Sequence, residues 1–211
     1  MAGVVHLPVR LEIHGTAADA DGRPLAGDDP RMACQMCLMT SSDGRRWSRH
    51  RDGQGYSRLF VGPGETRDPC LLRVGEVWCL YYAGYHQDDP EEAGFYARTS
   101  RNLLDWSDWM LVHQDRAYGA GNWNTECPHV VYREGSYYLF RTVDYRSATT
   151  HVFRSDDPLD FGLGDASDKY VGRICVAAPE IIVDGQGREY ITSNHDLQGG
   201  TRMCRLAWVG A

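Results

Sequence analysis

Apolar positions in this chain come in short runs separated by turns rich in Gly, Asp and Ser. One phrase occurs three times: RDPCLLRVGEVWCLYYAGY from Arg67, ECPHVVYREGSYYLFRTVD from Glu126 and APEIIVDGQGREYITSNHD from Ala178. Each has a proline beside an acid, an apolar run, a turn containing Gly75, Gly135 or Gly187, and a second run rich in aromatics. Runs of this kind, joined by a Gly turn, predict paired antiparallel strands. A second phrase lies between the copies of the first. CLMTSSDGRRW ends at Trp47, YARTSRNLLDW at Trp106 and HVFRSDDPLDF at Phe161, each a strand, a Ser-containing turn and an aromatic. TRMCRLAWV supplies a final strand of the same kind. Sustained helical periodicity is missing, and DPEEAGFYARTS is too short and too aromatic to supply it.

Interleaved, the two phrases form units of three or four antiparallel strands with a period of about 50 to 60 residues. Such units predict an all-β chain, residues 1–211, folded as one β-propeller of four to five blades. A β-sandwich is the alternative, but it would not repeat the acid–proline–strand phrase. Four units are recognisable and the first is incomplete: VVHLPVRLEIHG reads as its second strand, with none before it. The charged QDDPEE reads as a solvated loop.

Composition narrows the function. A net charge of −7 argues against a general nucleic-acid binder, which needs a basic face. No stretch approaches the ~20 apolar residues of a membrane span. The start, MAGVVHLPVRLEIHG, lacks the layout of a signal peptide, so a cytoplasmic protein is expected. The 7 cysteines are odd in number and irregular in spacing, which predicts reduced and mostly buried thiols. Cys34 and Cys37 have C-x-x-C spacing, but a strand would point them to opposite faces and no second pair accompanies them.

In a propeller the innermost strand of each blade runs along the axis, so residues at its start converge on one end of the channel. Asp68, Glu126 and Glu180 open three successive units, and the repeat thereby gathers acids from distant parts of the chain. Each acid alone reads equally well as a turn cap or an ion pair, Arg67 being next to Asp68. Together, with Asn122, Trp123 and Asn124 beside one of them, they predict a polar pocket. Indole faces stack on sugar rings, and Asn amides both donate to and accept from hydroxyls. Paired carboxylates in unlike environments are the apparatus of glycoside hydrolysis. His86, Asp144 and His195 follow the second strands of successive units and are candidate substrate contacts; His195 reads equally as a water or ion ligand or as a loop residue. Arg141, inside an aromatic strand, requires a partner, either an inward acid or a substrate.

The RDP of Arg67–Pro69 followed by the ECP of Glu126–Pro128 resembles the motifs of the five-bladed propeller glycosidases, glycoside hydrolase families 32 and 43 and their relatives. The resemblance covers roughly 31–208 and implies a sugar or glycoside as ligand, with Glu126 as general acid and Asp68 as the residue that fixes sugar hydroxyls and stabilises the transition state. It implies no cofactor, although an ion near the channel is compatible with it. The family also places a nucleophilic or basic aspartate at the opening of the first blade. Here Asp28 and Asp29 have the right Asp-Pro context but lie, with Asp19 and Asp21, in a probable loop. Three outcomes stay open: a glycosidase with a displaced base, a carbohydrate-binding protein, or a biosynthetic enzyme using the pocket for other acid–base chemistry.

Overall fold

The computed structural model describes residues 9–12, 34–64, 66–86, 89–194 and 200–209. They form four antiparallel sheets. The first contains β1 (Val9–Glu12), β2 (Met36–Thr40), β3 (Ser48–Arg49) and β4 (Arg58–Phe60), with β3 and β4 both paired to β2. The second runs β5 (Arg67–Val74), β6 (Val77–His86), β7 (Asp89–Ser100) and β8 (Met110–His113). The third runs β9 (Glu126–Arg133), β10 (Ser136–Asp144), β11 (Thr149–Ser155) and β12 (Tyr170–Ile174). The fourth has three strands, β13 (Ile181–Val183), β14 (Glu189–Asn194) and β15 (Thr201–Arg205). Among the described residues no helix is long and apolar enough to cross a membrane.

The strands read as continuous apolar runs because the middle sheets are buried on both faces. Successive side chains of a strand point to opposite faces, and β6 shows the consequence. Leu80 and Tyr82 join Met36 and Tyr96 in one core, whereas Cys79, Tyr81 and Ala83 join Phe95, Val130, Leu139 and Phe153 in another. In β10, Leu139 belongs to that second core and Phe140 to a third, with Val152, Ile191 and Trp208. Three cores therefore separate four sheets in chain order. The first strands stand side by side, β1 against β5 and β5 against β9. The Ile181 N–H donates to His129 Nε2 at 3.0 Å and joins β13 to β9.

The second phrase is also a structural unit. Ser41, Ser100 and Ser155 each accept a backbone N–H from two residues on, fixing the turn after β2, β7 and β11. Each serine stands six residues before its aromatic, Trp47, Trp106 or Phe161.

Several expectations are corrected. Val9–Glu12 is an end strand of the first sheet, bonded to β2 and lying against β5, rather than that unit's second strand. The acids at 19, 21, 28 and 29 lie outside the described residues. The charged stretch is not a loop throughout: Asp89 opens β7, whose first three residues are exposed. The thiols are less buried than expected: Cys37, Cys70 and Cys79 are buried, Cys34 and Cys127 half-buried, and Cys175 and Cys204 exposed. For Cys204 the reason is local, since every residue of β15 is exposed.

Candidate active site

Three sheets are entered in the same way. Asp68, Cys127 and Ala178 precede Pro69, Pro128 and Pro179 and have φ of 57°, 51° and 46°. Left-handed backbone is unfavourable for a residue with a Cβ, and it persists where surrounding structure over-determines it. The ladder slips at the first two sites. Pairing jumps from Arg67↔Ala83 to Cys70↔Tyr81, and from Glu126↔Thr142 to His129↔Phe140. Two residues of the entering strand thus oppose one of its partner, a β-bulge that re-aims the neighbouring side chains. The proline fits there because a bulged residue owes the ladder no N–H.

Counting from the prolines shows which residues correspond. Arg67 matches Glu126 and Ala177; Asp68 matches Cys127 and Ala178; Cys70 matches His129 and Glu180. The three acids are therefore not equivalent, as the sequence reading had them. Glu180 falls beyond the proline, is exposed, and donates its N–H to Thr192 Oγ1 at 2.9 Å.

Asp68 and Glu126 nonetheless meet, on Arg67. Arg67 Nη1 donates to Glu126 Oε1 at 2.9 Å and to Asp68 Oδ2 at 3.1 Å. The two oxygens share one nitrogen and lie within about 6 Å of each other, the scale on which glycosidase carboxylates cooperate. Arg67 Nη2 donates to Asn122 O at 2.8 Å and Asn122 Oδ1 at 2.6 Å. Asp68 Oδ2 also accepts the Cys127 N–H at 3.1 Å. Side-chain exposures are 11% for Arg67, 9% for Glu126 and 21% for Asp68, so charge has been taken out of water and paired. The expected pair of like charges is a triad with a cation at its centre.

Asn122–Asn124 forms a 3-10 turn whose Trp123 is 80% exposed. The turn is held from both ends. Arg67 grips Asn122, and Asn124 Nδ2 donates to Ala120 O at 2.8 Å. Gly121 lies at φ 79°, left-handed backbone that strains a residue with a Cβ, and an added Cβ would also press on the Glu91 carboxylate at 3.2 Å.

Arg141 grips the other end from below. It is 1% exposed, and its Nη2 donates to Gly119 O, Asn124 O and Thr125 Oγ1 at 2.5, 3.1 and 3.1 Å. Its Nη1 donates to Asp115 O at 2.9 Å and lies 3.2 Å from His113 Nε2. His113 Nδ1 donates to Phe161 O at 2.8 Å, which leaves Nε2 as the acceptor of a neutral ring. Burial, then the Arg141 charge, lowers the His113 pKa to about 3. Burial likewise lowers that of Arg141 to about 10. The partner that Arg141 needed is thus a set of carbonyls and a neutral imidazole. It holds the turn and is sealed from any substrate.

Three candidates remain, Asp144, His86 and His195. Asp144 is exposed and caps the β10–β11 turn, accepting from Arg146 N at 2.8 Å and Ser147 Oγ at 2.6 Å. Those bonds hold its carboxyl below the usual range. His86 ends β6 opposite Asp89, and His195 lies outside the described residues. Among the described residues no group of three or more His, Cys, Asp and Glu is placed to hold a metal. Sequence reasoning passed over Tyr145, whose hydroxyl lies 2.7 Å from Cys127 Sγ. The available signal was its position, an aromatic just past the strand that pairs with the start of β9.

No protein-family model and no curated protein matches the chain. Solved structures do. A thermostable family-43 glycoside hydrolase matches with a TM-score of 0.64 and 16% identity over 86% of this chain and 66% of that one. A Bombyx mori family-32 β-fructofuranosidase in complex with sucrose matches at 0.54 and 15%, covering 87% of this chain and 39% of that one. An exo-β-1,3-galactanase from Phanerochaete chrysosporium with galactose matches at 0.50 and 14%, covering 94% and 39%. The chain thus spans less than two thirds of the length of these proteins. At these identities the likeness is one of fold: the chain folds like these glycoside hydrolases.

Proposed function

We propose that the four sheets are propeller blades and that Arg67, Asp68 and Glu126 form a sugar site at one end of their axis. In this reading the protein is a glycoside hydrolase, with Glu126 as general acid and Asp68 as the group that orients sugar hydroxyls and stabilises the transition state. The observation that carries it is the shared guanidinium: two acids from successive first strands converge on Arg67 Nη1.

The bonding supports the division of roles. Asp68 Oδ2 accepts from both Arg67 and the Cys127 N–H, which fixes the carboxylate that would orient sugar hydroxyls. Glu126, as general acid, would carry the proton that a leaving oxygen needs. Trp123 offers an exposed indole face for the apolar side of a sugar ring.

A second reading is a carbohydrate-binding protein or a biosynthetic enzyme on the same scaffold. It is favoured by β1, which takes the first-strand position and whose described residues carry one acid, Glu12, at the last position of the strand. No residue is assigned as nucleophile.

The test uses sucrose, methyl β-galactopyranoside and methyl α-arabinofuranoside, with product analysis and calorimetric titration on the same samples. Cleavage of one of them, lost in Glu126→Gln, supports the hydrolase. Binding without cleavage, unchanged in Glu126→Gln, replaces it with the second reading. Binding of none removes the sugar site.

A further inference from the structure

Thr142 pairs with Glu126 and Asp144 with Thr149, so the β10–β11 hairpin turns beside the start of β9. Tyr145, half-buried, follows that turn's first residue. Its hydroxyl lies 2.7 Å from Cys127 Sγ, and the Cys127 N–H donates to Asp68 Oδ2. The phenol therefore stands on the wall that holds both acids.

Its partner is what separates Tyr145 from the other polar groups there. Arg67 is engaged by two carboxylates and a carbonyl, Arg141 by carbonyls, and the Asn124 amide by Ala120 O. Tyr145 faces a thiol, a weak donor and a weak acceptor. Burial, and then the charge of Asp68, pushes the Cys127 thiol upward, so it stays neutral. Burial followed by the thiol and the nearby carboxylates does the same to the phenol, which keeps its proton. A hydroxyl held by neutral sulfur exchanges that contact for a ligand oxygen at little cost.

We infer that Tyr145 contacts the substrate of this site, its hydroxyl turning from Cys127 Sγ to bond a sugar hydroxyl beside Asp68. The inference rests on the sugar-site reading and adds a specificity-determining residue to it. The alternative is a prop: Tyr145 holding Cys127 so that its N–H stays on Asp68.

The experiment compares the wild type with Tyr145→Phe, which keeps the ring and loses the hydroxyl. Calorimetric titration uses the three glycosides above and the monodeoxy analogues of whichever is bound. The variant is expected to melt like the wild type and to bind that glycoside about 3- to 10-fold more weakly, the worth of one hydrogen bond. One monodeoxy analogue, lacking the hydroxyl that Tyr145 bonds, should bind both proteins equally. Unchanged affinity, or the same weakening toward the glycoside and all its analogues, overturns the inference and leaves the sugar site standing. Failure of the wild type to bind any of the three removes both.

Discussion

Arg67 Nη1 bonds Glu126 Oε1 at 2.9 Å across 59 residues of sequence, and the same nitrogen bonds the adjacent Asp68. Removing the guanidinium leaves the Asp68 carboxylate without this partner. Arg67→Ala is therefore expected to lower the unfolding free energy by about 3 kcal/mol at neutral pH in urea titrations. Adding Asp68→Asn to it should restore part of the loss, because the unpaired charge goes with it. A double variant no more stable than the single one would contradict that account.

Arg141 gives a prediction of another kind. Its removal orphans the carbonyls of Gly119, Asn124 and Asp115 together. Arg141→Met should cost several kcal/mol, of the order of 3 or more for a broken buried charged network. In amide hydrogen exchange the loss should concentrate in 115–125. Uniform loss of protection across the sheets would mean that the arginine supports the core at large.

Much of the architecture was legible in the sequence because both phrases are periodic and their Gly and Ser turns mark strand ends. The acids were legible as a group, yet their equivalence was misread. The residue that repeats is the proline, and the chemistry differs on either side of it: Arg67 or Glu126 two before, Asp68 or Cys127 one before. Arg141 was recognised as needing a partner, but backbone carbonyls carry no sequence signal. The exposed Cys204 reads as core because strand composition does not reveal that β15 is, among the described residues, the end strand of its sheet.

Ala178 offers a test of the strand entries away from the acids. Its φ of 46° suits glycine better than alanine. Ala178→Gly should stabilise the fold by about 0.5–1 kcal/mol, the left-handed penalty relieved less the added freedom of the unfolded chain. A lower melting temperature would show that this backbone is not under strain.

His113 is buried and His129 half-buried, and desolvation lowers their pKa values to about 3 and about 4. The unfolded chain takes up their protons below about 6.5, whereas the folded protein resists until far lower pH. Their contribution is thus complete above about 6.5 and declines as pH falls toward the folded values. In NMR titrations both imidazoles should stay unshifted between pH 8 and pH 5.5, a range chosen to span the ordinary value of about 6.5. A midpoint near 6.5 for either would contradict the neutral, acceptor role of His113 Nε2 toward Arg141.

The central claim is that Glu126 delivers a proton to a leaving sugar oxygen. The direct measurement is the turnover of wild type and Glu126→Gln on a natural glycoside and on its aryl counterpart with an activated leaving group. Acid catalysis predicts a loss of about 10²–10⁴-fold on the natural glycoside and a much smaller loss on the aryl one, which departs without a proton. Equal losses on the two substrates, or no loss on either, would contradict the assignment of Glu126 as the acid.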